Sequence, residues 1–230
     1  MPIADPGPAP PAVAAPEAVA PEAVAPEAAP EAAPGPDASL RMVTAAVDAF
    51  SAHGFHATTT RDIAARAGLS PAALYVHFPS KAALLAEISL HGHRTALDLV
   101  TAAASGAEPV TERLRRLVSA FASWHAEHHR VARVVHNEYG ALPDAARGEI
   151  AAIRRRIEQA VEDLITTGIA EGSLQADQPR RVARALLSLC VDVARWFDPA
   201  GRDSPQELGD LYADLAVRMV SPQRAGDAVR

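Results

Sequence analysis

A chain of 230 residues has room for one or two domains with real cores. Its single cysteine, Cys190, excludes a disulfide framework and a cysteine metal cluster, and no uncharged apolar run is long enough to span a bilayer. A soluble, cytoplasmic protein is expected. The net charge of −6 resides in residues 1 to 37, whose acids are Asp5, Glu17, Glu22, Glu27, Glu31 and Asp37, so the rest of the chain is neutral overall and free to meet a polyanion.

The first 37 residues form a compositional unit. They hold 11 of the 19 prolines and the repeat PEAVAPEAVAPEAAPEAAP, and they lack lysine, arginine and aromatic residues. Such a segment cannot bury enough apolar surface to fold, so residues 1–37 are expected to be a disordered, polyproline-leaning arm. The basic start and continuous apolar run of a signal peptide are both missing.

Folded sequence is expected from residue 38. Val43, Val47 and Phe50 are spaced for one face of a helix over 38 to 53. The stretch TTTRDIAARAG, residues 58 to 68, gives a threonine cap, a helix over 61 to 67 with Ile63, Ala64 and Ala67 on its apolar stripe, and Gly68 for a sharp turn. Ser70 and Pro71 then open a short helix in GLSPAALYVHFPSKAALL, with Leu74 and Phe78 on its buried side; Pro79 ends it and Ser80 caps the next helix. Helix, three-residue turn and short helix is the spacing of a helix-turn-helix, here supported by the helix before it.

The run from Val43 to Leu85 closely resembles the TetR family of bacterial transcription regulators. The match is carried by Phe50, Gly54-Phe55, Thr59-Thr60, Ile63-Ala64, Ala67-Gly68, Ser70, Leu74-Tyr75, His77-Phe78 and Ser80-Lys81. The resemblance implies an operator-binding head over 38–88, with the helix-turn-helix at 59–78. Its DNA-contacting candidates are Thr59, Thr60, Arg61, Ser70, Ala72, Tyr75, His77 and Lys81, with Tyr75, His77 and Lys81 on backbone phosphates. The head carries little positive charge, with Arg41, Arg61, Arg66 and Lys81 set against Asp48, Asp62 and Glu87. Pro71, Ala72 and Ala73 offer no polar side chain to base edges, so thymine-methyl contacts and DNA shape must carry much of the specificity.

The remainder reads as helices only: 81 to 104, 111 to 128, 130 to 140, 144 to 171, 179 to 197 and 204 to 220. The fold class is therefore all-α, with a C-terminal ligand-binding and dimerisation domain over 89–222 and a flexible end at 223–230. Residues 183 to 197 are apolar around most of the helix, and Leu208, Leu211, Leu215 and Met219 are expected on one face of the last helix. A partner subunit is the economical cover for both, and the resemblance implies a homodimer joined through these two helices.

The middle helices concentrate rings and imidazoles: Phe121, Trp124, His125, His128, His129, His136 and Tyr139. The stretches RVARVVHNEYGALPDAARGEIAAIRRR and VARWFDPAGRDSPQELGDLYADLAVRMV resemble the branch of the family that regulates sterol and fatty-acid breakdown in response to acyl-CoA thioesters. That resemblance implies a repressor released by a large anionic effector. The ligand-binding candidates are Phe121, Trp124, His128, Arg133, Asn137, Arg156 and Trp196, with Arg116, Arg154 and Arg195 as further partners for phosphate. An alternative is a metal-sensing repressor using His125 and His129, four apart in WHAEHH. No phosphate-cradling glycine loop, nucleophile elbow or paired carboxylates stand out, so neither an enzyme nor a cofactor is expected.

Overall fold

A computed structural model describes residues 36–222. Most of the expected arm and the whole of the expected flexible end lie outside the described residues. The helices run in the order α1 Pro36–Ala57, α2 Thr60–Ala67, α3 Pro71–His77, α4 Lys81–Ala104, α5 Val110–Glu127, α6 His129–Asn137, α7 Asp144–Ala170, α8 Pro179–Trp196 and α9 Pro205–Val220, and a single 3-10 turn, Tyr139–Ala141, follows α6. There is no strand among the described residues.

Local chemistry sets the short elements. Thr59 caps α2 in a capping box: its hydroxyl accepts the Asp62 N–H at 3.1 Å, and the Asp62 carboxylate accepts the Thr59 N–H at 2.8 Å. The Thr59 hydroxyl and backbone hold the Asp62 carboxyl below its ordinary value. Gly68 ends α2 with φ of +67°, a left-handed conformation that a side chain disfavours. Ser70 caps α3 through the Ala73 N–H at 3.2 Å, and Pro71 supplies the first helical residue. A seven-residue helix does not stand alone, and fully buried Leu74 anchors α3 to the head.

Two cores result. The head core gathers Met42, Phe50, Ile63, Leu74, Leu84 and Leu85, and it is completed by Val134 and Val135 of α6, by Leu142 in the turn before α7, and by Ile150 of α7. Each such large apolar side chain contributes about 1.5–3 kcal/mol on burial. The second core lies among α4, α5, α7, α8 and α9, around Val100, Leu114, Leu117, Val161 and Ile165. The boundary expected at residue 88 thus falls inside α4, a continuous helix that enters both cores.

The structure corrects several expected bounds. Pro36 and Asp37, grouped with the arm on composition, open α1. The helix expected over 38 to 53 continues to Ala57 across a kink at Gly54. The element expected over 130 to 140 stops at Asn137 and turns. Leu208 leaves the face shared by Leu211, Leu215 and Met219: it is buried with Ala126, Val193 and Phe197, whereas the other three point outward.

Candidate functional site

The head presents one exposed face. Tyr75 and Val76 of α3 stand out from it at 54% and 69% exposure, and Ala72 lies on the same open side. The Tyr75 hydroxyl is 3.2 Å from the Thr60 hydroxyl at the start of α2, so the two form one polar step between the helices. Arg61 is exposed beside them with no ion pair among the described residues. Ala73 turns inward and is buried, so Pro71 and Ala72 alone of the three apolar starters face solvent.

Other predicted contacts are committed elsewhere. The Thr59 and Ser70 hydroxyls serve the helix caps. The His77 Nε2 is enclosed by protein and has no hydrogen-bond partner among the described residues. Lys81, expected on a phosphate, instead donates to the carbonyls of Phe55 at 2.5 Å and Thr58 at 2.6 Å, and its ammonium lies 4.2 Å from the Phe55 ring centroid. It ties the start of α4 to the end of α1.

A cavity of about 440 Å³ opens among α4, α5, α6, α7 and α8. Its floor is apolar, formed by Ala96, Phe121, Trp124, Val135, Ile157 and Val191. Its rim carries exposed Arg133, Arg154, Arg184 and Arg195 against Glu158 and Asp192, four cations to two anions. Arg195 pairs with Asp192 at 2.7 Å and Arg184 with Glu158 at 2.9 Å, while Arg133 has no ion pair among the described residues. Burial pushes the Glu158 carboxyl up, but hydrogen bonds from Arg184 and Arg180 outweigh it and hold the group below its ordinary value. Arg154 donates through Nε to His93 Nε2 at 2.9 Å and lies 4.9 Å from the Tyr139 ring centroid, rather than pairing with Glu158 along its own helix. Burial lowers the pKa of His93, and burial lowers that of His125 to about 4.

Phe121, Trp124, Arg133 and Asn137 of the predicted ligand set line this cavity, as does His136. His128 does not: it caps the end of α5 and stacks on Trp124 with ring centroids 5.0 Å apart. Arg156 is exposed on α7 away from the cavity, and Trp196 belongs to another groove. Arg116 is drawn away to the carbonyls of Ala103 and Ser105 at the end of α4. Sequence reasoning missed His93, Arg184 and Ser188. Arg184, Ser188, Val191 and Arg195 repeat at helical spacing on α8, a stripe hidden by treating that helix as apolar all round.

The metal pair of the alternative reading is not assembled. His128 separates α5 from α6, so His125 and His129 do not share one helix face. Each directs Nδ1 to a carbonyl at 2.8 Å, of Phe121 and Ala126 respectively. Among the described residues no group of three or more His, Cys, Asp or Glu side chains is placed to hold a metal ion. No described helix is long and apolar enough to cross a membrane. Burial pushes the Cys190 thiol up to about 12, which leaves it protonated and unreactive.

A second groove, of about 360 Å³, runs along α8 and α9 and is lined by Leu189, Trp196, Leu211, Leu215 and Met219 among others. These five are the exposed large apolar side chains of the two helices, each at least 44% accessible.

A helix-turn-helix head packed on an all-helical body with a ligand-sized cavity is the architecture of a DNA-binding transcription regulator. Comparison with known proteins gives the family. Residues 43–88 match the bacterial regulatory proteins of the tetR family, and residues 107–220 match the tetracyclin repressor-like C-terminal domain. The chain is 30% identical over 192 residues to the HTH-type transcriptional repressor KstR2 of Mycolicibacterium smegmatis, covering 81% of this chain and 91% of that one. It is 32% identical to the transcriptional activator FasR of the same organism, covering 73% and 77%. A tetR-family regulatory protein from Rhodococcus RHA1 superposes with a TM-score of 0.76 at 36% identity, covering 81% and 98%. The chain belongs to the TetR family of transcription regulators.

Proposed function

We propose that the protein is a cytoplasmic, homodimeric repressor, released from its operator when an acyl-CoA thioester enters the cavity. The observation that carries the effector reading is the division of that cavity into an apolar floor and an arginine rim. An acyl chain suits the floor. The phosphates of the CoA moiety suit guanidinium forks, above all Arg133, which has no ion pair among the described residues. The resemblance of the C-terminal half to the acyl-CoA-responsive branch agrees with this chemistry.

The head binds operator through Thr60, Arg61, Ala72 and Tyr75, with His77 at the end of the recognition helix. The outward apolar face of α8 and α9 pairs with its copy in a partner subunit, which sets two recognition helices against a near-palindrome. The relation to the repressor KstR2 supports repression.

Effector binding releases DNA only if the ligand prefers the state that the operator does not. Helices α4 and α6 line the cavity and also enter the head core, so a change in cavity width reaches the head through both. Titration calorimetry tests the effector: dodecanoyl-CoA binds, while free CoA and dodecanoate each bind at least about tenfold more weakly, having lost the chain or the phosphates. Equal affinity for free CoA and the thioester would remove the apolar floor from the account.

A further inference from the structure

His125 sits in the cavity wall on α5 with 6% of its surface accessible. Its Nδ1 is 2.8 Å from the carbonyl oxygen of Phe121. A carbonyl only accepts, so Nδ1 carries the proton and Nε2 keeps the lone pair. Nε2 has no hydrogen-bond partner among the described residues. It is not sealed by packed atoms as the Nε2 of His77 is, and it opens onto the cavity that the ring lines. Edge contacts with Phe121 and Trp124, at centroid distances of 4.5 and 5.0 Å, hold the ring in that orientation.

The neighbouring imidazole makes the contrast. His93 donates through Nδ1 to the Ser89 carbonyl at 2.7 Å and accepts at Nε2 from Arg154, so both its nitrogens are occupied. Burial keeps His125 neutral at pH 7, with a pKa of about 4, so its lone pair persists. A ligand that fills the cavity displaces water from Nε2. An apolar or carbonyl group there leaves the acceptor bare, and a hydroxyl restores its hydrogen bond.

We propose that His125 is a specificity-determining residue that reads a hydroxyl on the apolar body of the ligand and rejects the ketone at the same place. The proposal rests on the reading of this cavity as the effector site. It goes beyond that reading by setting the oxidation level of the molecule that fits.

The test uses octan-2-ol and octan-2-one, matched probes free to slide along the apolar floor, on the full chain labelled with ¹⁵N-histidine. In the wild type, octan-2-ol shifts the His125 Nε2 resonance and binds about tenfold or more tightly than octan-2-one, the cost of one missing hydrogen bond to a buried group. In His125→Phe, which keeps the ring and removes the acceptor, the two probes bind alike. Equal affinities in the wild type, an unmoved Nε2 resonance, or a preference that survives in His125→Phe would overturn the proposal. The wild-type spectrum decides even if the variant fails to fold. Dodecanoyl-CoA is titrated in parallel. Its failure to bind, with the alcohol preference intact, would sink the thioester and leave the hydroxyl reader standing.

Discussion

Glu138 accepts the backbone N–H of Phe55 at 3.0 Å, which joins the end of α6 to the kink in α1. The kink exists because Gly54 holds φ of +78°, and this turns the Phe55 N–H toward Glu138. The Phe55 carbonyl is held in turn by Lys81 at the start of α4. One residue of the head is thus clamped between α4 and α6, two of the helices that line the cavity, and Arg130 of α6 adds a 2.6 Å pair to Asp48 of α1. Glu138 lies next to Asn137 in the cavity wall. Glu138→Ala is expected to leave acyl-CoA affinity within about twofold while cutting the ratio of operator affinities without and with effector by about tenfold, roughly 1.4 kcal/mol of coupling. Anisotropy on a labelled operator at zero and saturating effector measures that ratio. An unchanged ratio would remove α6 from the transmission route.

Tyr75 and Lys81 are expected to separate under substitution. Tyr75→Phe leaves the melting temperature alone and weakens operator binding by about 1 kcal/mol, the worth of one hydrogen bond. Lys81→Met strips two carbonyls of their donor and is expected to cost about 1–3 kcal/mol of stability. Thermal melts and operator titrations of both variants check this. A Lys81→Met protein with full stability and weak DNA binding would return Lys81 to the phosphate backbone.

The α8–α9 face is tested with Leu211→Glu combined with Met219→Glu. Charges on that apolar face are expected to halve the mass in sedimentation equilibrium and to abolish operator binding at micromolar protein, since a lone head meets half a site. The fold itself should persist, because both side chains already face outward. Retention of a dimer would send the search to another surface.

Stability should fall on mild acidification. The folded pKa of His125 is depressed from 6.5 to about 4, so the unfolded chain takes up its proton first. Its contribution is complete above pH 6.5 and is lost as pH falls toward 4, about 3 kcal/mol over that window. His93, lowered by burial, acts in the same direction. Urea titrations at pH 7, 6, 5 and 4.5 measure the slope. His125→Phe is expected to flatten it by about one proton, and a slope indifferent to that substitution would place the titration elsewhere.

The helix-turn-helix was legible in the sequence because its signals are local: Thr59 and Ser70 as caps, Gly68 as turn and Pro79 as stop act within a few residues of themselves. The role of Lys81 was not, because its partners Phe55 and Thr58 become neighbours only through the Gly54 kink. The same holds for the cavity. Phe121 and Trp124 announced it by composition, whereas His93 and Arg184 reach it from other helices. Leu208 parted from Leu211 because the packing of α9 against Ala126 and Phe197, not spacing alone, selects its buried face. His125 and His129 share a spacing, but the break at His128 cancels it.

Release from DNA by an acyl-CoA is read out by fluorescence anisotropy of a labelled duplex from the gene's own upstream region. The protein is expected to saturate the duplex, dodecanoyl-CoA to lower the anisotropy to that of free DNA, and CoA, dodecanoate and zinc to leave it unchanged. A complex that binds dodecanoyl-CoA in calorimetry yet stays on the duplex would contradict the account.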